Sequence, residues 1–403
     1  MIKKLLIVFI VFVGMYIAYF VFRGANFYNY IAKSGAKNTP APVEKTEYTF
    51  LLLGYGGPGH DGPYLTDSMM VTHLDLKKNT VSLISLPRDL WVGLPTKSGE
   101  DFHSKINSLY QMGMYEWKNY PDVKIKNTGT PELAKQAVQT VTGLTVDNVI
   151  TVDFAGFEKA VDALGGIDVT VLKTFDDYGY PIEGKEKDLC GKDADFLQIE
   201  KYLKPGYDEA EKEKLFKDKP ELEKFFNDIT TKDPPTDAFP CRYEHLHFDA
   251  GKVHMDGSTA LKYVRSRHSI QDGSDFGRGE RQQQFVKAIK DKLLNVSILA
   301  NVFSLMDQLK NHISVDVSSD ELKKFVAEAK DISFYRIITI RMTDTDYLKS
   351  SFSEYGGYIL IPRTGADNWN EIHTIIRNGR LEITPTPSSS PTGKAILVPT
   401  EKK

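Results

Sequence analysis

The stretch Ser68-Met69-Met70-Val71-Thr72-His73-Leu74 is followed by Asp75-Leu76-Lys77-Lys78-Asn79 and then by Val81-Ser82-Leu83-Ile84-Ser85-Leu86. Two apolar-rich runs of strand length flank a polar turn, which predicts a β-hairpin. Upstream, Tyr48-Thr49-Phe50-Leu51-Leu52-Leu53 is a nearly continuous apolar run that stops at Gly54, the pattern of a buried strand. Downstream, residues 131–141 read as a helix with Thr130 as N-cap and Pro131 at its first position. Residues 149–152 read as a strand, 154–164 as an amphipathic helix stopped by Gly165-Gly166, and 167–171 as an alternating strand. Helix patterns at 258–264, 280–294, 299–309 and 320–329, with strand patterns at 336–340 and 357–361, continue the series. Strands interleaved with helices predict an α/β domain.

The 403 residues suffice for two or three units at about 150 residues each. Charged residues are 26% and hydrophobic residues 41%, which excludes wholesale disorder and a polytopic membrane protein. A net charge of -3 gives no reason to expect nucleic acid as a partner. Two cysteines, Cys190 and Cys241, exclude a disulfide-rich scaffold and leave either one disulfide or two thiols.

The ends of the chain carry the localisation signal. Residues 5–22 are an uncharged apolar run after Lys3-Lys4. Eighteen residues span roughly 27 Å as a helix, enough to cross a bilayer core. A cleaved signal peptide is the rival, but such apolar regions are usually shorter and end in small residues, whereas this one ends Tyr19-Phe20-Val21-Phe22. The expectation is a cytoplasmic start and transmembrane anchor at 1–23, a linker at 24–46, and everything beyond outside the cell. Residues 381–403 read as a disordered Ser/Thr/Pro tail. Within the expected 47–380 domain, residues 183–240 are dense in charges of both signs and read as a surface insertion, partly helical around 208–227, presenting a solvated face.

Three clusters could carry chemistry. Arg88-Asp89 follows a strand directly, where ligands of open α/β sheets bind, although an isolated pair reads as a salt-bridged turn. Arg265, Arg267, Arg278 and Arg281 fall close together, with Gln282 beside the last. In a helix, Arg278, Arg281 and Gln282 share a face at i, i+3 and i+4. Guanidinium groups bind phosphate bidentately, so such a cluster suits a pyrophosphate; the alternative is outward-facing charges, or pairing with Asp272, Asp275 and Glu280. Asp67 at a strand start could hold Mg²⁺, which takes one or two carboxylates plus substrate oxygens. No GxSxG, HExxH or GxxxxGK[ST] pattern occurs. His245, His247, Cys241 and His254 are zinc-ligand types at no common spacing, and read as scattered surface histidines.

Together the motifs resemble the LytR-CpsA-Psr family. They are Thr66-Asp67-Ser68-Met69-Met70, Ile84-Ser85-Leu86-Pro87-Arg88-Asp89, Lys105-Ile106-Asn107, Val161-Asp162-Ala163-Leu164-Gly165-Gly166-Ile167 and Met255-Asp256-Gly257. Ala260-Leu261-Lys262-Tyr263-Val264-Arg265-Ser266-Arg267 and Asp275-Phe276-Gly277-Arg278 with Arg281-Gln282 complete the series. The resemblance implies a three-layer α-β-α domain with a mixed central sheet and an apolar tunnel for a lipid. It implies a transferase that moves a glycopolymer from a polyprenyl-pyrophosphate carrier to peptidoglycan, forming a phosphodiester, with pyrophosphatase as a side activity. It assigns Mg²⁺ to Asp67, catalysis to Arg88, Asp89, Arg265 and Arg267, and substrate binding to Lys105, Arg278, Arg281 and Gln282. Membrane lipid is the implied environment.

Two departures stand out. The family carries a second metal-binding Asp after the first strand, where this chain has Gly54-Tyr55-Gly56; His60 or Asp61 is the nearest substitute. Thr66 replaces a common Arg. The missing Asp favours an alternative: a non-catalytic module that binds polyprenyl lipid or the cell wall. A surface regulator or adhesin is a third class, supported only by the insertion and tail.

Overall fold

The computed structural model describes residues 45–60, 62–293, 309, 311–316 and 335–381. In chain order the strands are β1 (Glu47–Tyr55), β2 (Thr66–Asp75), β3 (Thr80–Ser85), β4 (Trp91–Leu94), β5 (Phe102–Lys105), β6 (Asn148–Asp153) and β7 (Ile167–Val171). They continue as β8 (Phe175–Pro181), β9 (Tyr243–Phe248), β10 (Gly251–Met255), β11 (Ile313–Val315), β12 (Arg336–Arg341), β13 (Leu348–Phe352) and β14 (Tyr358–Pro362). The longer helices are α1 (Glu132–Thr142), α2 (Phe154–Ala163), α3 (Asp193–Ile199), α4 (Glu209–Asp218), α5 (Pro220–Thr231), α6 (Gly257–Arg265), α7 (Asp275–Leu293) and α8 (Asn370–Leu381).

The expected hairpin and buried strand form the centre of a six-stranded mixed sheet, ordered β11-β6-β1-β2-β3-β12. β1 runs parallel to β6, β3 parallel to β12, and β2 antiparallel to both its neighbours. Alternation then separates two faces. Leu51, Leu53, Val71 and Ile84 enter a core with Leu133 and Val141 of α1 and Ile372 and Ile376 of α8. Leu52, Met70, Ile150 and Val152 face the other way, toward α2, α6 and α7. Gln283 seats α7 on that side, its amide donating to Ser85 Oγ (2.9 Å) and to the carbonyls of Leu83 and Ile340. A second core joins α2, α6 and α7 to the β7–β10 and β8–β9 ribbons through Val161, Ile167, Phe175, Phe248, Tyr263 and Phe285.

Several expectations need correction. Helix α1 starts at Glu132, with Pro131 before it and no side-chain cap from Thr130. The strand expected at 357–361 is present as β14, and it pairs with β13 in a ribbon outside the central sheet. The insertion is more than a solvated face: between β8 and β9 it builds α3, α4 and α5 around Ile199, Tyr202, Phe216, Leu222, Phe225 and Phe239. Cys190 and Cys241 are disulfide-bonded near its two ends. Among the described residues no helix is long and apolar enough to cross a membrane. The apolar run at 5–22, the linker up to residue 44, Asp61, the helices expected around 299–309 and 320–329, and the tail from 382 lie outside the described residues, apart from residue 309.

Candidate functional site

A cavity of about 500 Å³ opens between the sheet and helices α2, α6 and α7. Its position follows from the topology. β1, β3, β6 and β12 point the same way, and their carboxyl ends form one rim, where ligands of open sheets bind. Arg88 stands three residues beyond β3, in a turn where the Leu90 amide donates to the Pro87 carbonyl. Asp67 is the second residue of β2, which starts at this rim. Arg265 ends α6, Arg267 follows two residues on, and Arg278 and Gln282 occupy the first turns of α7. Residues separated by up to 215 positions thus line one space.

The cavity is polar at one end and apolar along its depth. On α7, Arg278 and Gln282 give way to Phe285, Val286 and Ile289. At 1.5 Å per residue the step from Arg278 to Ile289 is about 16 Å along the helix.

At the polar end, Arg88 Nη1 donates to Asp67 Oδ1 at 2.7 Å, and Arg88 Nε lies 3.4 Å from Asp275 and 3.6 Å from Asp89 without a hydrogen-bond partner. Arg278 Nη2 is 3.1 Å from Asp275. Arg267 Nε donates to His268 Nε2 at 3.0 Å, and its Nη2 is 3.9 Å from Asp233. Arg265 donates to the Tyr180 hydroxyl (3.1 Å) and stacks over Phe154, with 4.0 Å to the ring centre. Burial opposes the charge of Asp67, yet Arg278, Arg88 and Arg267 outweigh it and hold the carboxyl below the usual range. Burial likewise opposes the charge on Arg88, where Asp67 and Asp275 win, so its guanidinium is held more firmly protonated. For Arg278, burial wins and lowers the pKa despite Asp275. His268, half-buried beside Arg267, is pushed down for both reasons and stays uncharged at neutral pH. Burial pushes Tyr180 up to about 12. Arg88 Nε is thus buried between carboxylates without a hydrogen bond, and remains a donor that a ligand oxygen could take up.

Of the residues selected from sequence, Arg88, Arg265, Arg267, Arg278, Gln282 and Asp67 line the cavity. Asp89, Lys105 and Arg281 are not among its lining residues. Lys105 Nζ holds Asp89 Oδ1 at 2.5 Å, and Asp89 is 7% exposed, so this pair braces the Arg88 turn. Arg281, 3% exposed, donates twice to Asp272 at 2.7 Å and to the carbonyls of Tyr263 (3.2 Å) and Ser266. It therefore fastens the turn that carries Arg267 instead of facing the cavity. On the helix Arg281 lies about 60° to one side of Arg278 and Gln282 about 40° to the other, and the Arg281 side is the one that meets Asp272 and the Tyr263 and Ser266 carbonyls.

Other residues of the wall were missed. Asp177 accepts from Ser266 Oγ (2.6 Å) and from the His268 amide (3.2 Å), fixing the Arg267–His268 segment to β8. Asp153 caps α2 through the Gly156 amide (2.7 Å) and meets His312 Nδ1 at 2.9 Å. Asp233, Pro234 and Pro235 bring the insertion to the cavity. Gly179 on β8 admits this approach, since a Cβ there would lie 2.4 Å from Pro234 Cγ. His268 was legible as the neighbour of Arg267; the others carry no local signal.

For a metal, the wall offers Asp67 next to the arginines, and among the described residues no three metal-ligating side chains converge there. That donor set fits a Mg²⁺ ion completed by substrate oxygens and waters, and does not fit an ion held by protein alone. At Gly56 a Cβ would come within 2.9 Å of His60 Cβ, so the His60 side chain occupies the space that a larger residue would need. His60 itself packs edge-on against Phe154 and lies 3.6 Å from Glu183.

Comparison with known proteins agrees with this architecture. Solved structures similar in fold include Bacillus subtilis TagV, at TM-score 0.51 and 19% identity, covering 85% of this chain and 100% of that one. A Streptococcus agalactiae protein matches at TM-score 0.52 and 18% identity, over 86% of this chain and 92% of that one. In sequence, the Bacillus subtilis polyisoprenyl-teichoic acid–peptidoglycan teichoic acid transferase TagV is 24% identical over 319 residues, 78% of this chain and 61% of TagV. The Enterococcus faecalis transferase TagU is 22% identical over 362 residues, 87% of this chain and 88% of TagU. The chain thus spans less than two thirds of TagV. The LytR_cpsA_psr family profile matches residues 18–360, and with that match covering most of its length the chain belongs to the LytR-CpsA-Psr family.

Proposed function

We propose that this chain is a membrane-anchored, Mg²⁺-dependent phosphotransferase. It would move a glycopolymer from a polyprenyl-pyrophosphate carrier to a peptidoglycan hydroxyl, leaving polyprenyl phosphate. The observation that carries the reading is the cavity itself: four arginines at one end, apolar side chains along the rest. A pyrophosphate with a hydrocarbon tail has the same division. The similarity to TagV and TagU, named as polyisoprenyl-teichoic acid–peptidoglycan teichoic acid transferases, supports the same class of reaction.

In this reading the acceptor oxygen attacks the phosphorus that bears the glycopolymer, the bond to the bridging oxygen breaks, and the new bond is a phosphodiester. Negative charge moves onto the departing polyprenyl phosphate. Arg88, Arg267 and Arg278 stabilise that charge without reorganising, which is usually the largest single contribution to such catalysis. Bound Mg²⁺ would add Lewis-acid neutralisation of the phosphate oxygens, with Asp67 as its protein ligand. With Asp67 assigned to the metal, neutral His268 beside Arg267 is a group on the wall able to accept a proton from the attacking hydroxyl. Asp89, braced by Lys105, positions Arg88 in this account. The run at 5–22 is the proposed anchor, and the Cys190–Cys241 disulfide suits a domain on the oxidising side of the membrane.

The filled space at Gly56 favours a second reading, a lipid-binding module without turnover. One experiment separates the two: polyprenyl phosphate release from a polyprenyl-pyrophosphate donor, with Mg²⁺, with chelator, and with Asp67→Ala. Metal-dependent release that is lost in the variant supports the transferase. Tight lipid binding with no release supports the binding module.

A further inference from the structure

The β8–β9 ribbon has two faces. Phe175, Asp177 and Gly179 of β8 are buried and turn inward, so Asp176 and Tyr178 turn outward. On β9, Leu246 and Phe248 turn inward, and His245 and His247 outward. Asp176 is paired with His247 across the ribbon. On this outer face His245 Nε2 lies 2.9 Å, and His247 Nδ1 2.8 Å, from the same oxygen, Asp176 Oδ1.

Two imidazole nitrogens within hydrogen-bond distance of one carboxylate oxygen need either an N–H on each, which neutral tautomers supply, or a single cation shared by all three atoms. The second arrangement uses both ring lone pairs and the carboxylate oxygen as ligands to one metal ion. Zinc–nitrogen and zinc–oxygen bonds are about 2.0–2.2 Å, which sets tetrahedral donor atoms about 3.3 Å apart. The two histidine–aspartate spacings need only about half an ångström of expansion to reach it.

The surroundings are those of a ligand set. Asp249 Oδ1 lies 3.3 Å from His247 Nε2, the nitrogen remote from Asp176, and can fix the tautomer that leaves Nδ1 free to ligate. Metal-bound histidines almost always have such a partner. Gln271 holds Asp176 at both ends: its amide nitrogen donates to Oδ2 (3.3 Å), and its oxygen accepts from the Asp176 amide (2.8 Å). Tyr178 stacks on His245, with ring centres 4.0 Å apart and planes 2° from parallel.

We propose that Asp176, His245 and His247 form a Zn²⁺ site with a fourth position open to water, pinning the two strands from which the insertion departs. The histidines are thus not scattered, although the partner is Asp176 and not the residues nearest in sequence type. Cys241 is consumed in the disulfide, and His254 pairs with Asp168 at 2.7 Å. The second cluster of ligand types, Asp188 with Cys190 and Cys241, has no thiolate to offer. The zinc site stands on the ribbon face opposite the cavity and does not depend on the proposed transferase reaction.

The test uses the full chain, stripped with chelator and titrated with Zn²⁺ by calorimetry and with Co²⁺ by visible absorption. One ion per chain is expected, with the absorption of a low-coordinate nitrogen–oxygen site. His247→Gln and His245→Gln should each weaken binding at least about tenfold, and Asp249→Asn, which removes only the outer partner, about tenfold. X-ray absorption at the zinc edge of the unaltered chain should show two imidazoles on the metal. No stoichiometric binding, undiminished binding by the folded His245→Gln/His247→Gln chain, or a zinc shell without imidazole would overturn the proposal.

Discussion

The wall of the cavity and the layer directly behind it are both rich in arginine and aspartate, and they use them differently. On the wall, Arg88 keeps a buried Nε without a hydrogen-bond partner, and Arg278 has a 3.1 Å ion pair with Asp275. Behind it, Arg281 makes four hydrogen bonds, and Lys105 is spent on Asp89. Arg278 and Arg281 stand one turn apart on the same helix. A fully bonded charge fixes geometry, and an under-bonded one is available to a ligand. Truncating the first should cost stability, and truncating the second should cost function.

The sharpest way to break this comparison is Arg281→Ala. It strips Asp272 of its partner and frees the Ser266 and Tyr263 carbonyls. Removing one partner of a buried pair costs about 3–5 kcal/mol, and the low end applies because Asp272 is partly exposed. Urea unfolding should show this loss, and an unchanged midpoint would remove Arg281 from the supporting layer. A slightly smaller effect is expected from Cys190→Ser/Cys241→Ser, since closing a loop of this size typically contributes about 2–4 kcal/mol. Proteolysis should then begin within the insertion, between β8 and β9, before it reaches the central sheet. Even cleavage across the chain would show that the insertion has no separate stability.

The smallest effect concerns His268. Its pKa is lowered by burial and by Arg267, so between that lowered value and the ordinary value the unfolded chain binds more protons. The stability linked to it is complete above about pH 6.5 and is lost as pH falls from there toward the lowered value. His268→Gln should flatten that slope relative to the parent, and an NMR titration should place the imidazole midpoint below the ordinary one. A midpoint above 6.5 would mean that the ring is not held against Arg267.

The sequence was most legible where one short period governs. The hairpin of β2 and β3, the buried β1, and the helix from Phe154 to the Gly165-Gly166 stop all follow from local pattern, and so does β7. It was least legible where the pattern is broken or the partner is distant. β8 carries two aspartates and a glycine, and its partner β9 begins 62 positions after β8 ends, so neither announces the other. Helix α8 contains Gly379 and was not foreseen. The charge density of the insertion hid an apolar core, because its aromatic residues are thinly spread among lysines and glutamates. For the site, the arginine cluster and the family resemblance together selected Arg88, Arg267 and Arg278, which the fold brings to the cavity wall. Direction on the helix did not follow from i, i+3 and i+4 spacing alone, which is why Arg281 was assigned to the substrate.

The most direct test of the account is polyprenyl phosphate release by Arg267→Ala, measured against the parent at equal folded concentration with a polyprenyl-pyrophosphate-linked donor. Arg267 lines the cavity with one side-chain hydrogen bond, to His268, and a distant ion pair, so its loss should leave thermal stability nearly unchanged. Removing one preorganised donor to developing charge lowers turnover by about 10²–10³-fold, and that loss is the predicted result. Release at the parental rate by the folded variant would contradict the assignment of the arginine end of the cavity to the pyrophosphate.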